Sequence, residues 1–111
     1  MRQALIKYNT VDAGILTETD QGTYIFDYLP EYIESFPNQF ITFQMPVGKH
    51  GYQSKRLFPF FDGLIPEGWL LNIATDSWKI NQNDRMGLLL ACCQNCIGAV
   101  SVHPLKQNEN E

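Results

Sequence analysis

Leu57-Phe58-Pro59-Phe60-Phe61-Asp62-Gly63-Leu64-Ile65-Pro66-Glu67-Gly68-Trp69-Leu70-Leu71 is the stretch that decides how this chain folds. Its apolar and aromatic density would suit a core, but two prolines and two glycines break it. Proline cannot donate to a ladder or sit inside a helix without loss, and glycine weakens both elements. The run is therefore expected to form turns and short helical pieces that carry apolar surface, part of it available to a partner.

Working outward, the 111 residues are 44% apolar and 13% aromatic, enough for one modest core but not for an additional large catalytic domain. Twelve acidic residues against eight Lys and Arg give a formal charge of −4, which disfavours non-specific attraction to nucleic acid or anionic membrane. Met1–Tyr8 is too short and mixed for a signal peptide, and no apolar run reaches spanning length. A soluble, cytoplasmic protein without membrane contact is the expectation. Cys92, Cys93 and Cys96 are odd in number and lack a secretory context, so reduced thiols are expected.

Upstream of the run, Ala4, Ile6 and Tyr8 alternate with opposite-facing residues, and Val11, Ala13, Ile15 and Thr17 repeat the period. A turn at Thr19-Asp20-Gln21-Gly22 leads to Tyr24, Phe26 and Tyr28, which complete an antiparallel meander. Leu29-Pro30 opens a short helical piece through Glu34, with Tyr32, Ile33 and Phe36 leaning onto the sheet. Phe40–Gln44 has the alternation of a fourth strand, and the polar segment from Gly48 to Arg56 reads as a loop.

Downstream, Glu67–Ile80 is helical in pattern. Asn83-Asp84 announces a second helix with Met86, Leu89, Leu90 and Cys93 on one face, and Ile97–Val102 returns to the sheet. The expected fold is α+β: a small antiparallel sheet, a meander plus a returning C-terminal strand, packed with two or three short helices. Residues 1–105 form one domain and 106–111 a polar tail.

Helical geometry separates the two tryptophans. At about 100° per residue, Leu70, Leu71, Ala74 and Trp78 share a side, while Trp69 points roughly 140° away from its centre. An outward Trp69 beside Ile65, Pro66, Glu67 and Gly68 has what an interface anchor needs, a large rigid apolar area. The other placement for Trp69 is packing back onto the Phe58–Phe61 loop.

Enzymatic signatures are weaker. Cys93 and Cys96 form a CxxC, but zinc requires four ligands and only the distant His50 and His103 remain. A thioredoxin-like pair would open a helix, whereas these cysteines end one. Asp62 and Glu67 flank a Pro-Gly turn with no reason to converge as acid and base, and Gly48-Lys49-His50-Gly51 lacks the spacing of a phosphate loop. Neither catalytic residues, metal nor cofactor are expected.

The segment from Phe58 to Leu71 and the following Asn83–Val102 resemble the N-terminal subdomain of HipA-type serine/threonine kinases, in which an FxDNLLPEG-like segment precedes a helix and a DxxGAV-like strand. Ala13–Leu16, Gly22–Phe26, the Glu31-Tyr32 corner and Met45-Pro46 follow the same order, so the resemblance spans nearly the whole chain. Gly63 stands where relatives often have Asn, and Asn95 where they often have an acid. No catalytic-loop or metal-binding kinase sequence follows Gly98–Val102, so no kinase activity is expected.

A free-standing copy of this subdomain resembles the HipS antitoxins of tripartite HipBST systems. The resemblance implies a protein that binds and neutralises a HipT-like kinase toxin, within a ternary complex where a HipB-like protein supplies DNA contact. It also implies a partner-binding corner of Asp62, Ile65, Pro66, Glu67, Gly68 and Trp69 near the kinase active site. The alternative is a structural or activating subunit that complements a split HipA-like kinase.

Overall fold

The computed structural model describes residues 1–49, 51–65, 84–93 and 99–105, apart from the Cys92 side chain. The helix expected over Glu67–Ile80, with its inward face of Leu70, Leu71, Ala74 and Trp78, lies outside the described residues, as does the 106–111 tail. Five strands form one antiparallel sheet: β1 Arg2–Tyr8, β2 Val11–Glu18, β3 Tyr24–Tyr28, β4 Tyr52–Ser54 and β5 Val100–Pro104. Their spatial order is β4-β3-β2-β1-β5, so the meander sits centrally and the C-terminal strand returns beside β1. Among the described residues three short helices accompany them: α1 Pro30–Ser35, α2 Pro59–Asp62 and α3 Arg85–Cys92.

One face of the sheet carries the core. Ala4 and Ile6 of β1, Leu16 of β2, Phe26 of β3 and Val102 of β5 are fully buried. The strict alternation expected along β2 is broken, because Leu16 rather than Ile15 is buried and Ala13 and Gly14 are buried consecutively. The cause is a bulge: Ile6 faces Gly14 while Lys7 faces Asp12, leaving Ala13 as the extra residue. One inserted residue inverts which side chains point inward from there on. The Ala13 carbonyl then accepts the Leu29 N–H at 2.8 Å, so the irregularity fixes the entry to α1.

Gly14 is required by its neighbour. A Cβ there would stand 2.6 Å from both the Asp27 carbonyl oxygen and the Phe26 ring, which lies across the glycine. The turn before β3 uses Gly22 at φ +84°, and its N–H donates to the Thr19 carbonyl.

The expected strand at Phe40–Gln44 is not formed, and the edge strand lies instead at Tyr52–Ser54, within the segment read as a loop. Ile41 and Met45 are buried four residues apart, while Phe40 and Phe43 are exposed, a turn-like rather than a two-residue period. Tyr28 holds this segment in place: its hydroxyl donates to the Met45 carbonyl and accepts the Ile41 N–H at 3.1 Å. Burial pushes the Tyr28 phenol up to about 12, so it stays protonated and keeps donating at any ordinary pH. With the segment pinned by a side chain, the edge of β3 is left for Tyr52 and Ser54, which pair with Phe26 and Tyr24.

The proline-broken run behaves as its composition requires. Pro59 occupies the first position of α2, where its missing N–H costs nothing, and Gly63 ends the helix after one turn. Phe61 is fully buried and lies 5.7 Å from the Phe26 ring, with Phe58 and Phe60 at 6.1 and 5.3 Å. Thus α2 closes the sheet's inner face.

Asp84 caps α3 by accepting the Gly87 N–H at 3.1 Å, as its position before the apolar stripe predicts. Met86, Leu89 and Cys93 are fully buried as expected, but Leu88 joins them and Leu90 is only partly buried. The buried face is therefore rotated from the expected one, because α3 packs against both β5 and α2. Cys93 joins the three elements: its thiol donates to the Leu64 carbonyl at 3.3 Å and its own carbonyl accepts the Val102 N–H at 2.9 Å.

Arg2 links the start of the sheet to the α3 cap. Its two terminal amino groups reach the Asp84 carboxylate at 3.0 and 2.7 Å, and its Nε reaches Glu18 at 2.7 Å. The hydrogen bond from Arg2 holds the Asp84 carboxyl below its ordinary value of 3.8, against the opposing effect of burial. A depressed folded-state value means that this stabilisation is complete above roughly pH 4 and is lost as pH falls through the folded-state value. Urea unfolding between roughly pH 2 and 7 should show a shallower acid limb for Asp84→Asn than for the parent. An unchanged acid limb would contradict the linkage.

Candidate partner-binding site

The six residues expected to form the corner divide sharply. Pro66, Glu67, Gly68 and Trp69 lie outside the described residues. Asp62 and Ile65 are described, and they differ in character. Ile65 is 2% exposed, buried in the core rather than offered to a partner, so within a corner it would act as the anchor from beneath. It belongs to the same buried cluster as Phe61 and Leu89.

Asp62 ends α2 and is half-exposed. Its carboxylate accepts the Arg85 Nε at 2.7 Å, which ties α2 to the first turn of α3. Leu64 and Ile65 donate their N–H groups to the Phe61 and Asp62 carbonyls at 3.0 and 3.2 Å, tight turns that fix how the chain reaches residue 65.

Sequence reasoning missed a second surface. Phe40 is 42% and Phe43 73% exposed, their rings edge to face at 6.4 Å. Beside them lies an open groove of about 350 Å³, whose described lining residues, Thr42, Phe43, Gln44, Pro59 and Phe60, are all uncharged. The groove joins the exposed aromatic pair to α2, the element that leads toward the expected corner. The sequence carried no clear signal for it, because the seven residues between Asn38 and Pro46 leave room for a strand as long as β3.

Among the described residues no group of three or more His, Cys, Asp or Glu could hold a metal ion. No described helix is long and apolar enough to cross a membrane. Ser101 Oγ and His103 Nε2 lie 2.8 Å apart on β5, but none of the described cavities includes them. What the described surface offers is contact: an apolar groove, exposed aromatics and a buried framework beneath.

Comparison with known proteins identifies the family and the fold. A family model described as the HipA N-terminal domain matches residues 4–103. An uncharacterized protein of Haemophilus influenzae is 33% identical over 94 residues, 85% of this chain and 84% of that protein. Among solved structures, the N-terminal domain of HipA toxin superposes with a TM-score of 0.73 at 22% identity, covering 96% of this chain and 95% of the other. The shared architecture is the small five-stranded antiparallel sheet with a few short helices.

Proposed function

The chain belongs to the HipA N-terminal domain family, and on that footing we propose that it acts as a HipS-type antitoxin that binds a HipT-like serine/threonine kinase toxin and holds it inactive. The family match over residues 4–103 carries this reading, because the matched domain is not itself the catalytic domain of such a kinase. The Haemophilus influenzae relative supports it, since the same region makes up 84% of that protein too. A domain of this kind acts on phosphoryl transfer through a partner. Meeting that partner would occur in the cytoplasm, with a HipB-like protein completing a ternary complex and making the DNA contacts that an acidic chain of −4 would not make itself.

The proposed contact is the Pro66-Glu67-Gly68-Trp69 corner, with Ile65 anchoring it from the core and Asp62 at its base. Ile65 buried in the core and Asp62 held by Arg85 favour this, because they give the segment a rigid footing. Trp69 would enter near the kinase cleft, where an inserted aromatic either excludes nucleotide or substrate or holds the catalytic groups out of line. Co-expression with a short HipA-like kinase should yield one complex that survives size-exclusion chromatography at micromolar concentration. Separate elution of two folded proteins would overturn the proposal.

A further inference from the structure

Lys55 and Arg56 form the link between edge strand β4 and the buried Leu57-Phe58 pair. At one end Ser54 pairs with Tyr24, and its Oγ accepts the Arg56 N–H at 3.2 Å, a local turn that fixes the link. At the other end Leu57, 8% exposed, closes against the core. Both cationic side chains stay exposed. Arg85 joins them from the first turn of α3, positioned by its bond to Asp62. Together with the Tyr24 side chain, these residues line one open cavity of about 410 Å³.

The charge there is opposite to that of the chain. Among the described residues that line the cavity, three of the chain's eight Lys and Arg residues stand against one carboxylate, Asp62, an excess of +2 among them in a protein of net −4. Arg2, Lys7 and Arg85 each have a carboxylate partner, but Lys55 and Arg56 have none among the described residues. Among the described residues Arg85 is engaged through its Nε, which leaves its terminal amino groups as donors toward the cavity.

We propose that this cavity binds a phosphate monoester. Such a group carries a charge of about −1.5 to −2 at neutral pH and three acceptor oxygens, which matches an excess of two positive charges supplied by two guanidinium forks and an ammonium. A carboxylate would leave one cation uncompensated. The cavity is larger than a phosphate alone, and Tyr24 and Leu57 give the organic part of the ester an apolar wall. Asp62 belongs both to this cavity and to the corner proposed to meet a kinase, yet the chemistry here requires no kinase.

The test is amide NMR of the full chain titrated with inorganic phosphate, a phosphoserine peptide, its unphosphorylated form and acetate. Saturable shifts at Lys55, Arg56 and Arg85 are expected with the two phosphate probes only. A Lys55→Gln/Arg56→Gln double variant, altered only at exposed positions, should keep its spectrum and bind at least about tenfold more weakly. Asp62→Asn should bind more tightly. Tighter binding of the phosphopeptide than of inorganic phosphate would assign the ligand to a modified protein side chain, and equal binding to a small phosphate ester; either result upholds the site. Absence of saturable shifts, equal response to acetate, or shifts unaltered in the double variant would overturn it.

Discussion

Phe61→Ala should remove about 3–5 kcal/mol of folding stability, the usual cost of truncating a fully buried aromatic. Phe61 is 0% exposed and sits among the rings of Phe26, Phe58 and Phe60, so the vacated volume borders large side chains already held elsewhere. Phe26 lies across Gly14 and cannot swing toward the gap without abandoning that contact. Partial collapse is therefore limited, which places the cost high in the range. For a domain whose total stability is about 5–15 kcal/mol, the variant should melt roughly 15 °C or more below the parent. Phe43→Ala, at a ring 73% exposed, should change stability by no more than about 0.5 kcal/mol. Chemical denaturation of both variants checks the contrast, and a Phe61→Ala loss below about 1 kcal/mol would mean that α2 does not close the core.

Trp69→Ala should weaken the complex with the kinase by about 2–4 kcal/mol, a loss of roughly 30-fold to 1,000-fold in affinity, while leaving the chain folded. In the helix expected over Glu67–Ile80, Trp69 would point away from Leu70, Leu71, Ala74 and Trp78, and its truncation should then cost little in the isolated protein. A central, rigid aromatic is the side chain whose removal costs most at an interface. Calorimetric titration of the kinase with parent and variant measures the difference. Unchanged affinity would remove Trp69 from the interface. A variant that loses stability by several kcal/mol would instead place Trp69 in the core, packed on the Phe58–Phe61 segment.

The meander was readable because Ala4, Ile6, Phe26 and Tyr28 alternate and Gly22 marks the turn with a backbone angle that few other residues accept. The short helix at Pro59 was readable for the opposite reason, since proline and glycine forbid longer elements there. Where periodicity misled, a tertiary contact decided. Nothing local to Phe40–Gln44 announces that the Tyr28 hydroxyl will take the Ile41 N–H and the Met45 carbonyl, and β4 contains a single large side chain, Tyr52, in a polar context. The Ala13 bulge was equally hidden, because its requirement comes from the Leu29 N–H on another element.

The candidate site was legible only in part, for a physical reason. Apolar density in Leu57–Leu71 signals burial and binding alike, and only packing tells them apart: Phe61 and Ile65 went to the core, while among the described residues the exposed aromatics are Phe40 and Phe43. The cationic cavity escaped notice because Lys55-Arg56 and Arg85 are separated in the chain and brought together by the β4 link and the Asp62 bond.

The most direct measurement is the rate of phosphoryl transfer by a HipT-like kinase as this chain is titrated in. Binding that neutralises the toxin predicts a fall in rate that saturates at a fixed stoichiometry, with the Trp69→Ala variant needing far higher concentration for the same effect. A rate that rises on titration would make the chain an activating subunit and contradict the antitoxin account, and a rate unchanged at saturating concentration would contradict it as well.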